Sequence, residues 1–192
     1  MTEARIHIVG ASGSGTTTLG AALAHASGGA HLDTDDYFWL ATDPPFTTKR
    51  PVEERLALLT ADLDRHAAWV LTGSLIDWGN VLIPRFDLVV FLYVPQEIRI
   101  ERLMQRERLR YGSQIEPGGR MHAAHTEFVS WAKGYDDPAF EGRSLKGHRA
   151  WLQHLPCPVL EITGTPSIDR HSIHSSRGPS AWSRRAPSGR GC

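Results

Sequence analysis

The chain has 192 residues, 41% of them apolar and 22% charged, a balance that suits one soluble domain with a sizeable core. Net charge is zero, but five arginines against one aspartate follow Thr165, so residues 1–164 hold sixteen basic and twenty acidic residues. That leaves no basic stripe for coating a nucleic acid. No apolar run nears the roughly 20 residues of a bilayer span. Cys157 and Cys192 offer neither a disulfide framework nor zinc spacing. With "MTEAR" running straight into a strand and no signal peptide in sight, the expectation is a reduced, cytoplasmic protein, monomer or homodimer, with neither a membrane nor a nucleic acid as partner.

In chain order, "RIHIV" (5–9) predicts a first strand stopping at Gly10, and a helix begins near Thr16. "AHLD" (30–33) reads as a second strand ending in acids. Pro51 suits a helix start, and Val52, Leu56, Leu59 and Leu63 follow at helical spacing. "WVLT" (69–72) is a third strand closed by Gly73, and "DLVVFLYV" (87–94), apolar on both faces, is a central parallel strand ended by Pro95. An arginine-rich helix runs to about Arg110, then the loop "YGSQIEPGG". Two helical stretches, around His122 to Lys133 and Leu145 to His154, precede a fifth strand, "PVLEI" (158–162).

Alternating strands and helices predict an α/β fold, a five-stranded parallel sheet covered on both faces. Right-handed crossovers leave ligands at the carboxyl ends of the strands, where Gly10, Asp33, Gly73 and Pro95 all fall.

Between the first strand and helix lies "GASGSGTTT", which fits the phosphate-loop pattern G-x-x-x-x-G-K-[ST] except that threonine replaces its lysine. Gly10 and Gly15 are the two glycines; Ala11, Ser12, Gly13, Ser14, Thr16, Thr17 and Thr18 complete the cradle. Glycines let backbone N–H groups turn inward around phosphates, and the helix N-terminus adds a positive partial charge. Thr17 occupies the place of the magnesium-holding hydroxyl. What Thr16 removes is a full positive charge near the β- and γ-phosphates.

The loop, "LDTDDYF", and "FLYVPQEIRIERLMQRERLRYG" together make residues 4–164 resemble the P-loop small-molecule kinases, the nucleoside-monophosphate kinase and shikimate kinase group with its adenylate kinase-like members. The lysine-free loop is similar to that of archaeal-type cytidylate kinases, which carry Gly-Thr-Gly-Thr-Thr-Thr; the familiar adenylate kinase substrate motifs are absent. The resemblance implies the P-loop NTPase fold with a small helical lid, here about residues 105–122, and ATP and Mg²⁺ as co-substrate and metal. It implies that Asp33 orients magnesium waters and Asp35 accepts the proton of an attacking hydroxyl. Asp36 with Tyr37 also resembles the Asp-Asp-Phe/Tyr segment of nucleoside kinases, so the base is shared between Asp35 and Asp36. An acidic turn capping a helix is the plainer reading of these carboxylates. Thr72, Gly73 and Ser74 look like the substrate turn of the same families, and Asp77 and Trp78 are substrate contacts on position alone. In this group the fourth strand leads into a lid whose arginines reach the phosphates.

Arg99, Arg102, Arg106 and Arg110 follow that strand here, and the last three share a helical face at four-residue spacing. The bland alternative is a solvated face paired with Glu101 and Glu107. His122 and His125, three apart, lack a third metal ligand. Phe38, Trp39 and Phe46 suit core packing or a substrate ring.

The reading is an ATP-dependent phosphotransferase acting on a small hydroxyl or phosphate acceptor. Its rivals are a nucleotide-binding regulatory protein with little turnover, and a hydrolase, for which no Walker B carboxylate ends the third strand. The tail, residues 165–192, is dominated by Ser, Arg, Gly and Pro and reads as disordered, where one more helix would normally cover the fifth strand.

Overall fold

The computed structural model describes residues 3–164; the expectation for the tail, and Cys192 with it, lies outside them. Five strands, β1 (Arg5–Gly10), β2 (Ala30–Asp33), β3 (Trp69–Thr72), β4 (Leu88–Tyr93) and β5 (Val159–Thr163), form one sheet in the order β2-β3-β1-β4-β5. Every pairing is parallel. Six α-helices are interleaved: α1 (Thr16–Ser27), α2 (Thr34–Phe38), α3 (Val52–Asp64), α4 (Gln96–Tyr111), α5 (His122–Lys133) and α6 (Leu145–Leu152).

Two-sided burial explains why the central strands do not alternate. On one face His7, Val9, Trp69, Leu71, Val89 and Phe91 are buried, and all but the histidine pack with Leu59 and Leu63 of α3. On the other face Ile8, Val70 and Val90 pack with Ala24 of α1, flanked by Leu19 and Leu23. A smaller cluster, Ile100, Leu103, Val129 and Ala132, joins α4 to α5. β5 is thinly covered: Val159 and Leu160 are 40% and 49% exposed, and the helix expected over this strand is not among the described residues. No described helix is long and apolar enough to cross a membrane.

Helix ends follow their local chemistry. α1 ends at Gly28, whose left-handed φ of 73° lets its N–H reach the Ala24 carbonyl. Ser144 starts α6 by accepting a hydrogen bond from the Gly147 N–H at 3.2 Å. The sequence expectation for α6 runs two residues too far, to His154. It also misses three 3₁₀ turns, Asn80–Arg85, Gly112–Ile115 and Gly134–Asp136, because segments this short carry no periodicity to read.

Two of the described histidines are fully buried. His7 Nδ1 lies 3.1 Å from the Leu71 carbonyl, with its ring stacked on Phe86 at 5.0 Å. His148 Nδ1 lies 2.6 Å from the Tyr135 hydroxyl. Burial pulls His7 down to about 4; burial, and then the charges of Arg143 and His7, pull His148 down to about 3. Both are therefore neutral in the folded chain at pH values where the unfolded chain protonates them. The unfolded state binds more protons below about 6.5, so their contribution to stability is full above that pH and is lost as pH falls toward 4. We expect chemical denaturation at pH 5 to show a loss of roughly 2 kcal/mol per histidine relative to pH 7. His7→Gln should remove about half of that pH dependence. An unchanged pH slope in the variant would contradict the assignment.

Candidate active site

β1 delivers the chain to Gly10, and the loop from Ala11 to Gly15 turns over the N-terminus of α1. Gly13 (φ 81°) and Gly15 (φ 95°) take left-handed conformations, and a side chain on Gly13 would also collide with the Arg99 carbonyl. The turn is closed by the Ser14 N–H to the Ala11 carbonyl at 3.1 Å and by the Leu19 N–H to the Gly15 carbonyl at 2.9 Å. Thr16 is half-buried, and the Ser14 hydroxyl is buried with no protein partner among the described residues.

The second strand ends on Asp33, and its carboxylate organises the site. Oδ2 accepts from the Thr17 hydroxyl at 2.8 Å and from the Thr72 hydroxyl at 3.0 Å; Oδ1 accepts from the Asp35 N–H at 3.0 Å. The last bond caps α2, so the plain capping reading of this acidic turn also holds. Thr17 and Asp33, the two residues expected to hold magnesium, are thus adjacent. Their all-oxygen donor set suits that ion, which prefers one or two protein oxygens with phosphate and water completing its shell.

Asp35 and Asp36 follow on α2 and face different neighbours. Burial, then the charge of Asp33, raises the Asp35 carboxyl above its usual range; Arg143, Trp39 and Arg106 pull it back. The side chain keeps access to solvent while protein crowds its other sides. Asp36 is raised by burial and by Asp33, but its opposing partner is His31. Asp35 is the carboxylate on the arginine side.

The arginines of α4 divide along their face. Arg102 Nη1 lies 3.4 Å from the Ser14 carbonyl, and Arg106 acts on Asp35 while pairing with Glu107 at 3.5 Å. Arg110 lies over the Phe46 ring at 5.4 Å, so the structure does not bring it to the phosphate loop. Arg99 turns inward, fully buried, to the Val94 carbonyl at 2.9 Å and to Asp136. Its role is to hold α4 in place.

Gly73 has φ 101°, and any side chain there would collide with Thr34, so its conformation and packing already require glycine. The Ser74 carbonyl accepts from the Trp78 indole at 2.9 Å, and Trp78 is only 8% exposed within the main core. Trp78, a substrate contact by position alone, instead packs in the core, edge-on to Phe38 at 6.1 Å. Asp77 is exposed with φ 71°, and its side chain makes no hydrogen bond or ion pair among the described residues. The histidine pair is divided as well, His122 Nδ1 lying 2.9 Å from the Ile115 carbonyl and His125 Nδ1 3.8 Å from Glu107. No cluster of three metal-binding side chains occurs among the described residues. Phe46 is 43% exposed and meets Trp39 edge-on at 6.1 Å. Arg120 pairs with Asp43 at 2.9 Å, tying the segment before α5 to the loop that carries Phe46.

Sequence reading missed Arg143. It stands before α6 with no motif around it, yet its guanidinium donates to the Ser12 hydroxyl at 2.7 Å. Only the chain path reveals it.

A protein of Bacillus subtilis (strain 168), "Uncharacterized protein YqaC", is 47% identical over 164 residues, spanning 85% of this chain and 90% of that protein. Among solved structures, shikimate kinase from Bacteroides thetaiotaomicron aligns at 20% identity and a TM-score of 0.49 over 90% of this chain and 92% of its own. A gluconokinase from Sinorhizobium meliloti 1021 aligns at 18% and 0.46 over 86% and 85%. Residues 6–134, from β1 through the phosphate loop, the acidic turn and α4 to the end of α5, match the family described as AAA domain. The chain belongs to that family, with the α/β fold of a P-loop NTPase.

Proposed function

We propose that this protein is an ATP- and magnesium-dependent phosphotransferase, a small-molecule kinase of the adenylate kinase-like group acting in the cytoplasm on a small nucleotide, nucleoside or other hydroxyl- or phosphate-bearing acceptor. The observation that carries the reading is the pair of carboxylates two residues apart: Asp33 bonded to Thr17, and Asp35 turned to the arginines. Phosphoryl transfer needs positioning, charge neutralisation and a carboxylate on the acceptor, and little else.

The loop amides and the N-terminus of α1 hold the triphosphate. Thr17 and Asp33 would hold magnesium, which supplies neutralising charge to the phosphate oxygens. Asp35 takes the proton from the acceptor oxygen as that oxygen bonds to the γ-phosphorus, the bond to the β-bridging oxygen breaks, and ADP leaves. A raised carboxyl pKa makes Asp35 a stronger base. The neutral Thr16 favours the rival, a nucleotide-binding regulatory protein with little turnover. ADP release screened over nucleosides, nucleotides, sugars and hydroxy acids separates the two, since the rival releases ADP with none of them.

Asp35→Asn should lower turnover roughly 100-fold or more with nucleotide affinity retained, and Asp36→Asn should stay within a few fold. The acid limb of the parent's kcat/KM profile should sit above the ordinary carboxylate range and vanish in Asp35→Asn. The reverse ranking of the two variants would move the base to Asp36.

Thr17→Ala and Asp33→Asn should each raise the magnesium concentration needed for half-maximal nucleotide binding. Because the two side chains are bonded to each other, the double variant should cost less than the sum of the singles. Full additivity, or an unchanged magnesium titration, would remove the metal from these residues.

A further inference from the structure

We propose that Arg143 supplies the positive charge that Thr16 withholds from the phosphate loop, and that its guanidinium contacts the phosphoryl group in transfer. The inference rests on the nucleotide reading above and deepens it.

Four observations converge on this side chain. Its Nη2 donates to the Ser12 hydroxyl at 2.7 Å, across 131 positions of sequence, so the guanidinium lies against the loop itself. It makes no ion pair within 4.0 Å with any described carboxylate, and its Nε is buried without a partner. Its guanidinium lies over the Trp131 ring at 5.0 Å, which helps to hold it in place. It is also near enough to Asp35 for each charge to act on the other.

A guanidinium sheltered from water and lacking an anion is costly unless an anion is supplied. The neutral Ser12 hydroxyl does not meet that need; a phosphate oxygen does. The rival cations are differently placed. Arg102, Arg106 and Arg110 are all exposed, where solvent weakens a charge. Arg102 touches a backbone carbonyl, Arg106 is paired with Glu107, and Arg110 lies on Phe46. Arg99 is already neutralised by Asp136. Arg143 alone among these combines contact with a loop side chain, shelter and an unmet anion. A preorganised charge in such a place acts most strongly on charge that develops during reaction.

The test compares Arg143→Gln and Arg143→Lys, each with Thr16 and with Thr16→Lys. Magnesium-loaded ATP and ADP are titrated against each protein, and ADP release is followed with the acceptor found in the screen. Arg143→Gln should lower turnover by about 1,000-fold and abolish any preference for ATP over ADP, with ADP affinity within a few fold. Adding Thr16→Lys should restore at least about 10-fold of the turnover and the ATP preference, because a lysine there brings the charge back to the β/γ region. If Arg143→Gln does not fold, as judged by thermal melting, Arg143→Lys decides. Its loss should be smaller and should disappear in the Thr16→Lys background. If no protein of the set transfers phosphate to any acceptor, the kinase reading falls, and the ATP-against-ADP titrations still judge Arg143. Normal turnover and an unchanged ATP preference in Arg143→Gln, or a loss that Thr16→Lys leaves untouched, overturns the proposal.

Discussion

The Asp33 carboxylate holds together three parts of the molecule that are distant in sequence. Through Thr17 it reaches the first turn of α1, through Thr72 the end of β3, and through the Asp35 N–H the start of α2. Thr72 is itself fully buried and also lies 3.2 Å from His31, so the anchor is set into the sheet rather than hung from a loop. Each bond to an ionised acceptor is stronger than its neutral counterpart. The direction in which Asp35 leaves the strand is a consequence of this arrangement. A carboxylate that caps its own helix presents the next residues outward from the strand end, where a parallel sheet gathers its ligands.

Charge at the phosphate loop is the second constraint. The loop's amides and helix terminus provide partial positive charge by geometry, but a triphosphate needs more than partial charge. With threonine at position 16, full charges arrive from outside the loop, from α4 and from the segment before α6. These arginines differ in exposure, Arg102 being exposed and Arg143 half-buried. That difference matters, because the same cation is worth several times more once water is excluded.

The sheet that carries these groups is stiff for ordinary reasons. β1 and β4 are buried on both faces, with α1 on one side and α3 on the other. Into this apolar interior the chain admits His7 and His148, each with one ring nitrogen engaged and the other buried without a partner. Tyr135, bonded to His148, precedes Asp136, which pairs with Arg99 at the root of α4. A connected polar path thus runs from the core to the helix whose face borders the phosphate loop.

Much of this was legible in the residues themselves. β2 and β3 match their expected bounds, and the other strands shift by a residue or so, because runs such as "LVVFLY" can be satisfied only inside a parallel sheet. The loop declared itself through Gly10, Gly15 and Thr17, whose spacing is dictated by phosphate size and not by the rest of the fold. "DTDD" announced the cap that Asp33 places on α2, since a cap is written in adjacent residues. What sequence could not resolve was direction. Arg102, Arg106 and Arg110 share a helical face, yet only the packing of α4 on α5 decides that they meet three different surroundings. Asp35 and Asp36 are identical in type and adjacent, and only tertiary neighbours distinguish them. Trp78 was singled out by position alone, and packing placed it in the core. Arg143 had no address at all, because its partner Ser12 is 131 residues away and no local pattern records a contact of that range. Local spacing determined the elements and the loop, for short-range geometry is written in neighbouring residues; the assignment of charge to the loop was decided by packing, which alone brings distant residues within reach.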